Sequence, residues 1–188
     1  MRPKRAGARR AAAGRQLTPG VGPRITWPMS FVKLDRRDIA ILTVLGTEGR
    51  ISKTALADRI GLGASACWDR LQRLQDAGVV AGYRAEVALR RIAPHVTVFV
   101  QVELGSHRAE AFRIFEAAIA RHDEIVGAWA LGGGFDYLLQ VVTRDIDSYQ
   151  RLMDALLEQK AGLARYFTYV VTKPVKSVPP PLGPLLEE

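Results

Sequence analysis

The chain has 188 residues, a formal net charge of +8 and no apolar run of the about 18 residues that a membrane-spanning helix needs. Its single cysteine, Cys67, excludes an internal disulfide framework and a cysteine-rich zinc site, so we expect a cytoplasmic location and no metal. Residues 1–28 hold seven basic and no acidic side chains, which leaves 20 basic and 19 acidic residues elsewhere. Bulk charge therefore supports DNA binding only weakly.

Residues 1–30 form a basic segment that contains Ala, Gly and Pro and lacks both a periodic apolar face and the apolar run of a secretory signal. Such a composition buries too little apolar surface to fold alone, so we predict a disordered arm. Three interpretations stay open. The arm could track phosphates and raise non-specific DNA affinity, it could be an inert extension translated from a start upstream of Met29, or it could be an organellar transit peptide.

Two stretches after the arm have the residue spacing of short amphipathic helices. In the first, Asp35 is placed to cap the N-terminus and to offer its carboxylate to the helix dipole, and Gly46 and Gly49 are expected to end the helix. The second begins at Ser52, a favourable N-cap, and ends at Gly61. The inward positions recur at helical spacing and are apolar: Leu34, Ile39, Leu42 and Leu45, then Leu56 and Ile60.

A third helix follows a tight turn over residues 61–63, with Gly63 at its N-cap and Gly78 at its end. Its inner face is formed by Cys67, Leu71 and Leu74. An extended segment comes next, so residues 31–86 predict a winged helix-turn-helix whose third helix enters the major groove of double-stranded DNA. The alternative is an ordinary three-helix core with a solvated outer face.

The outer face of the third helix carries side chains that can read base edges. We predict that the groove-facing residues are Ser65, Trp68, Asp69, Gln72 and Arg73. The predicted phosphate contacts are Ser52, Lys53 and Arg70.

The pattern then changes: residues 87–94 predict a hinge, and a second domain follows over residues 95–176. Strand-like alternation at 96–103 is followed by a helical stretch, two short apolar runs around a Gly-rich turn, a second helical stretch and a closing strand. The order strand, helix, strand, strand, helix, strand is that of a ferredoxin-like domain. Residues 177–188 include three consecutive prolines and predict an extended tail.

In this arrangement the two helices cover one face of the sheet and leave the other face open. The outward residues are expected to be bulky and apolar, such as Phe99 or its Val neighbours on the first strand and Tyr166, Thr168 or Val170 on the last. A small domain seldom leaves such a patch in water, so we expect self-association through this face. A two-fold dimer would present two recognition helices to a dyad-symmetric operator.

The turn around Gly132, Gly133 and Gly134 is a second candidate site. Consecutive glycines expose backbone amides that can hold a carboxylate, and the nearby Asp136 can accept an ammonium group. These are the two charged ends of an amino acid. The alternative is a Gly-rich hairpin in which Asp136 merely caps the turn.

Five stretches in the expected order resemble the Lrp/AsnC family of feast/famine regulators: 34–42 (LDRRDIAIL), 57–62 (ADRIGL), 67–74 (CWDRLQRL), 78–83 (GVVAGY) and 132–139 (GGGFDYLL). The resemblance covers about residues 31–176 and implies an α+β protein with an N-terminal winged helix-turn-helix and a ferredoxin-like effector domain. It implies dimers through the sheet, often assembled into octamers or related rings. It also implies an effector pocket between dimers that is bordered by Leu131, Gly132, Gly134 and Asp136.

Residues 143–149 and 165–176 further resemble a subgroup of regulators of ectoine degradation, which points weakly to a diaminobutyrate-related effector beside ordinary amino acids. No other cofactor is implied. Catalysis is not expected, because His95, His107 and His122 are scattered without a nucleophile or carboxylate set near them in sequence. The sequence predicts a sequence-specific transcriptional regulator whose DNA affinity or oligomeric state responds to an amino-acid-type effector. The alternative is an architectural DNA-binding protein with little sequence preference.

Overall fold

A computed structural model describes residues 31–186, so the predicted basic arm at 1–30 lies outside the described residues. Two units, each with its own hydrophobic core, make up this part of the chain. The first, the DNA-binding unit, comprises residues 31–95 and 171–186, and the second, the effector unit, comprises residues 96–170. The exact domain limits given above stay a prediction.

The DNA-binding unit contains three helices, α1 (Arg36–Thr47), α2 (Lys53–Ile60) and α3 (Ala64–Asp76). Their inward side chains form one core: Ile41, Leu56, Ala57, Ile60, Cys67, Leu71 and Leu74. Burial raises the pKa of the Cys67 thiol, which favours packing over thiolate chemistry at this position.

The helix ends follow the sequence signals with one exception. Asp35 caps α1 as predicted, in a reciprocal capping box with Asp38, and Gly61 ends α2 in the left-handed conformation with φ 65°. α1 passes through Gly46, so this glycine does not end the helix, which instead ends at Thr47 with Glu48 as its C-cap, between the two glycines predicted to stop it. Glycine weakens a helix by only about 1 kcal/mol and keeps its N–H donor, so one glycine does not by itself end a helix.

α3 begins directly after Gly63, whose lack of a side chain leaves the N-terminus of the helix without a side-chain cap. After α3, Gly78 has a positive φ of 71°, and the chain then runs without a strand to a single 3-10 turn at Leu89–Arg91. Among the described residues of this unit, the segment predicted to be extended therefore forms no paired β-hairpin.

The effector unit has the predicted ferredoxin-like order: β1 (Val96–Leu104), α4 (Ala109–Ile119), β2 (Ile125–Ala130), β3 (Tyr137–Thr143), α5 (Ile146–Glu158) and β4 (Leu163–Val170). The strands are arranged β2-β3-β1-β4, and every neighbouring pair is antiparallel. Alternate side chains of β1 and β3 point into a core beneath α4 and α5, as period-two strands require. Its largest fully buried members are Phe115, Leu139, Met153 and Leu156.

The C-terminal residues depart from the extended conformation expected of them. The chain has no regular structure from Lys173 to Pro181, but Leu182–Leu186 forms a short helix, α6, that contacts α1. Pro179 lies beside Gly46, where an added Cβ would be 3.6 Å from the proline Cβ. The end of the chain thus packs on the DNA-binding unit, a tertiary contact that proline composition alone could not reveal.

Candidate DNA-binding and effector sites

The face of α3 opposite its core residues is exposed and polar. Ser65, Asp69, Gln72 and Asp76 lie along it, at the spacing that places side chains on one side of a helix. The Gln72 side-chain amide donates a 3.0 Å hydrogen bond to Asp76. Because this bond is exposed, the amide can exchange its partner for a base edge at little cost.

Two of the predicted contacts meet beside this face. The Lys53 ammonium, in the first turn of α2, lies 3.0 Å from the centroid of the Trp68 ring on α3. This cation–π contact holds the lysine against the half-buried indole, which itself packs on the core of the unit. The structure therefore joins Lys53 and Trp68 at one edge of the exposed α3 face.

Ser52 has a structural role that the sequence also predicted. Its hydroxyl oxygen caps α2 by accepting a 3.2 Å hydrogen bond from the Ala55 amide. The hydroxyl hydrogen is not used in that bond, so Ser52 can still donate to a phosphate oxygen. Capping and phosphate contact are therefore compatible at this residue.

Arg70 and Arg73, in contrast, are engaged by acids at the start of α1. Arg70 lies 2.6 Å from Asp35 and 3.0 Å from Asp38, and Arg73 lies 2.5 Å from the other carboxylate oxygen of Asp38. The Asp38 side chain is only 1% exposed. The structure thus brings these arginines toward α1, whereas none of the other predicted DNA contacts forms a salt bridge within residues 31–186.

The pKa values of both acids reflect this arrangement. Hydrogen bonding from the Asp38 amide, followed by that from Arg70, holds the pKa of Asp35 below its usual range. For Asp38, burial acts to raise the pKa, but hydrogen bonds from Arg73, the Asp35 amide and Arg70 outweigh it and the pKa is lowered. Both carboxylates are therefore ionised at neutral pH.

Sequence reasoning did not find this cluster of two acids and two arginines. A signal was present, because Asp38 stands in the apolar stripe of α1, one turn after Leu34 and one turn before Leu42. A charged residue in an inward-facing stripe needs a partner, since an unpaired buried charge is very unfavourable.

In the effector unit, the predicted effector residues lie in the connection between β2 and β3. The Leu131 amide donates a 2.8 Å hydrogen bond to the Asp136 carbonyl and closes the turn. The three glycines between them are exposed, none has a positive φ, and a Cβ at any of them would meet no atom within 4 Å. Neither a positive φ nor packing within the unit requires glycine at these three positions.

Asp136 does not cap its own turn but links it to the end of β1. One carboxylate oxygen accepts a 2.7 Å hydrogen bond from the Leu104 amide, and the Asp136 amide donates to the Val102 carbonyl at 2.9 Å. The other oxygen lies 3.1 Å from the His107 ring, whose side chain is 70% exposed. From the sequence His107 was one of three scattered histidines, and its proximity to Asp136 is a finding of the structure.

Tyr137, which directly follows Asp136, lies among aromatic side chains. The buried Tyr137 packs against Phe115, with ring centroids 4.7 Å apart, and its hydroxyl donates a 2.8 Å hydrogen bond to Glu116. Burial, and then the Glu116 hydrogen bond, raise the pKa of Tyr137 far above its usual value. The hydroxyl therefore stays neutral, and Asp136 is the acid that the turn presents.

The open face of the sheet differs in one respect from the prediction. Residues paired directly across antiparallel strands share a face, and Tyr166, Thr168 and Val170 pair with core residues of β1. The expectation that these three point outward is therefore wrong. The residues of β4 that share the open face with Phe99 are Arg165, Phe167 and Tyr169, and β2 adds Trp129.

Phe167, Tyr169 and Trp129 are all exposed. Phe167 also contacts Phe135 edge-to-face, with ring centroids 5.5 Å apart. The open face thus exposes aromatic rings on both edge strands, with Gln101 and the Arg165–Glu103 ion pair on the same face.

Two features are absent from residues 31–186. Within this range, no three His, Cys, Asp or Glu side chains are placed to hold a metal ion. No helix there combines the length and the apolar character that crossing a membrane requires.

Fold and site together define a DNA-binding transcriptional regulator with a separate ligand-binding domain. Comparison with known families agrees: residues 34–81 match a winged helix-turn-helix DNA-binding domain, and residues 97–181 match the Lrp/AsnC ligand binding domain. The transcriptional regulatory protein DoeX of Halomonas elongata is 46% identical over 77% of this chain and 92% of its own length. The proline dehydrogenase transcriptional activator of Rhizobium radiobacter is 34% identical over 76% and 92%, respectively.

Among solved structures, the transcriptional regulator NMB0573 of Neisseria meningitidis, in complex with L-Met, is similar with a TM-score of 0.76 and 31% identity. The similarity covers 82% of this chain and all of that one. An AsnC family regulator of Agrobacterium tumefaciens gives a TM-score of 0.75 at 28% identity, over 81% of this chain and 100% of its own. The chain belongs to the Lrp/AsnC family and is a sequence-specific DNA-binding regulator that responds to a small effector.

Proposed function

We propose that this regulator reads a dyad-symmetric operator through the exposed face of α3. Ser65, Asp69 and Gln72 would contact base edges, and Trp68 would pack on sugar or a thymine methyl at the edge of that face. Lys53 and the Ser52 hydroxyl would contact phosphates. The observation that carries this proposal is the polar α3 face, which is exposed over its whole length while the opposite face is buried in the core.

Substitutions at Gln72 and Lys53 test the proposal because they remove different kinds of contact. We expect Gln72→Ala to lose about 1–3 kcal/mol of preference at one base position, since only that position loses a base contact. Lys53→Ala should weaken binding to all sequences alike and lower the salt slope by about one, because one phosphate contact is lost. Affinities for a set of single-base operator variants at several salt concentrations measure both effects.

Gln75→Ala is the matched control for this pair. Gln75 lies on the same helix but donates to the Tyr83 hydroxyl at 3.1 Å, so its loss should change neither base preference nor salt slope. Identical profiles for the Gln72 and Lys53 variants across the operator set would contradict the groove assignment.

For the effector site, we propose an α-amino acid held at the turn between β2 and β3. The amides of the exposed glycines would bind the carboxylate, with Leu131 at the edge of the site, and the Asp136 oxygen that faces His107 would accept the ammonium group. The L-Met complex of the Neisseria relative supports an amino acid as the chemical class. The candidates are L-methionine, L-leucine and, from the subgroup resemblance, L-2,4-diaminobutyrate.

The open sheet face supports self-association. We propose a homodimer formed through the aromatic surface of Phe99, Trp129, Phe167 and Tyr169, with further assembly to an octamer or a related ring. An effector bound in the effector unit would influence DNA binding by favouring one oligomer, or one DNA-bound geometry, over another. Because its partner is DNA, we propose that the regulator acts in the cytoplasm. We propose no enzymatic role for it.

A further inference from the structure

The two arginines of α3 form one connected cluster with the acids of α1. Asp38 accepts from Arg70 on one carboxylate oxygen and from Arg73 and the Asp35 amide on the other, so both of its oxygens are occupied. Arg70 also reaches Asp35. Two arginines and two aspartates make the cluster electrically neutral as a whole.

The cluster leaves the recognition helix without an unpaired cation. Its exposed face carries two acids, Asp69 and Asp76, and its two basic side chains are those that Asp35 and Asp38 neutralise. When an arginine contacts a phosphate, counterions condensed on the DNA are released in proportion to the net positive charge that the side chain brings. A guanidinium already paired with a carboxylate brings little net charge and so releases few counterions. The helix that reads bases therefore contributes almost nothing to sequence-independent attraction.

Burial of Asp38 makes it energetically costly to break its ion pairs with Arg70 and Arg73. Its side chain is 1% exposed, so releasing the arginines to DNA would leave a charged group in the interior without a partner. The outer acid, Asp35, is about half exposed and can be released at smaller cost. Asp38 is therefore the residue on which the cluster depends.

We propose that Asp38 is a specificity-determining residue that keeps Arg70 and Arg73 off the DNA backbone, so that binding depends on base contacts more than on charge. The inference rests on the DNA-binding face proposed above. It reassigns both arginines from DNA contacts to residues that position α3 against α1. An arrangement that suppresses attraction to all sequences raises the ratio of specific to non-specific affinity.

The test is the salt dependence of binding to a 30-base-pair duplex of random sequence, measured with the full chain. The N-terminal basic segment is common to all variants, so differences between their slopes report only the substituted residues. For Asp38→Asn we expect the slope of log K against log salt to steepen by about one to two and affinity at low salt to rise about tenfold or more, because both arginines become available to phosphates. Arg73→Gln should leave the slope unchanged while lowering thermal stability.

Lys53→Gln is the matched comparison, since a true phosphate contact should reduce the slope by about one. A reduction of that size for Arg73→Gln would overturn the inference, as would an unchanged slope for a folded Asp38→Asn variant. If Asp38→Asn does not fold, Arg73→Gln and Asp35→Asn decide the question: Asp35→Asn should steepen the slope slightly through Arg70, and no steepening would contradict the proposal. Failure of Lys53→Gln to change the slope would instead contradict the proposed DNA-binding face.

Discussion

Replacing Phe167 by glutamate is expected to convert the proposed oligomer into monomers. Phe167 lies on the open face of the sheet, with 40% of its surface exposed in the single chain, and does not belong to the buried core. The neighbouring Arg165 is already paired with Glu103, so burying a new carboxylate at this position is strongly unfavourable, whereas in the monomer the same carboxylate stays in water. Sedimentation velocity measures the change in mass.

DNA binding should weaken with the assembly. A dimer places two recognition helices on one operator, and loss of the second contact removes the gain from effective concentration, roughly 10²-fold or more in affinity. Ile114→Glu on the outer side of α4 is the matched control, because Ile114 is 46% exposed but lies away from the sheet face. An assembly of unchanged size for Phe167→Glu would show that subunits do not meet through this surface.

Replacing Asp136 by alanine is expected to abolish effector binding while DNA affinity without effector stays nearly intact. In the proposed effector site Asp136 accepts the ammonium group, and it belongs to the effector unit, whereas α3 belongs to the DNA-binding unit. Calorimetric titration with L-methionine, L-leucine and L-2,4-diaminobutyrate measures the loss for whichever of them the unmodified protein binds.

Asp136→Asn distinguishes the effect of the negative charge from that of the hydrogen bond that Asp136 accepts from the Leu104 amide. The asparagine oxygen can still accept from the Leu104 amide, so the turn keeps its link to β1. Only the charge that attracts an ammonium group is lost, which should weaken binding by about 10- to 100-fold, the range for a hydrogen bond to a charged group. Full-strength effector binding by both variants would place the pocket elsewhere on the protein.

Much of the fold could be predicted from the sequence because its signals are local. The caps at Asp35 and Ser52 and the stop at Gly61 are set by neighbouring residues and stand where the periodicity predicts. The order of strands and helices follows from the same periodicity, and the ferredoxin-like topology is confirmed. Gly46 was misleading, because a single glycine weakens a helix by only about 1 kcal/mol and does not by itself end it.

The phase of β4 could not be predicted from composition. Residues 166–170 read Tyr-Phe-Thr-Tyr-Val, so bulky side chains occupy both faces and no alternation distinguishes the inner from the outer one. Only pairing with β1, which sets Tyr166 opposite Val102, identifies the inner face. Hydrogen bonding between distant segments thus supplies information that the strand itself lacks.

In the candidate sites, too, some features follow from local sequence and others depend on contacts between distant segments. The exposed face of α3 and the glycine turn follow from local patterns, and the structure places their residues at the surface. The partners of those residues are remote: Asp38 and Arg73 are 35 positions apart, and so their pairing depends on how α1 crosses α3. The contact of His107 with Asp136 likewise joins two loops that only the sheet brings together.

The most direct measurement is a footprint of the purified full-length protein on fragments that it selects from genomic DNA in the presence of excess competitor. A sequence-specific oligomeric regulator should protect discrete sites spaced by about one helical turn or a multiple of it, and the bound amino acid should change the protection pattern. Uniform coverage of the selected fragments, unchanged by any amino acid of the panel, would contradict the account and indicate an architectural DNA-binding protein.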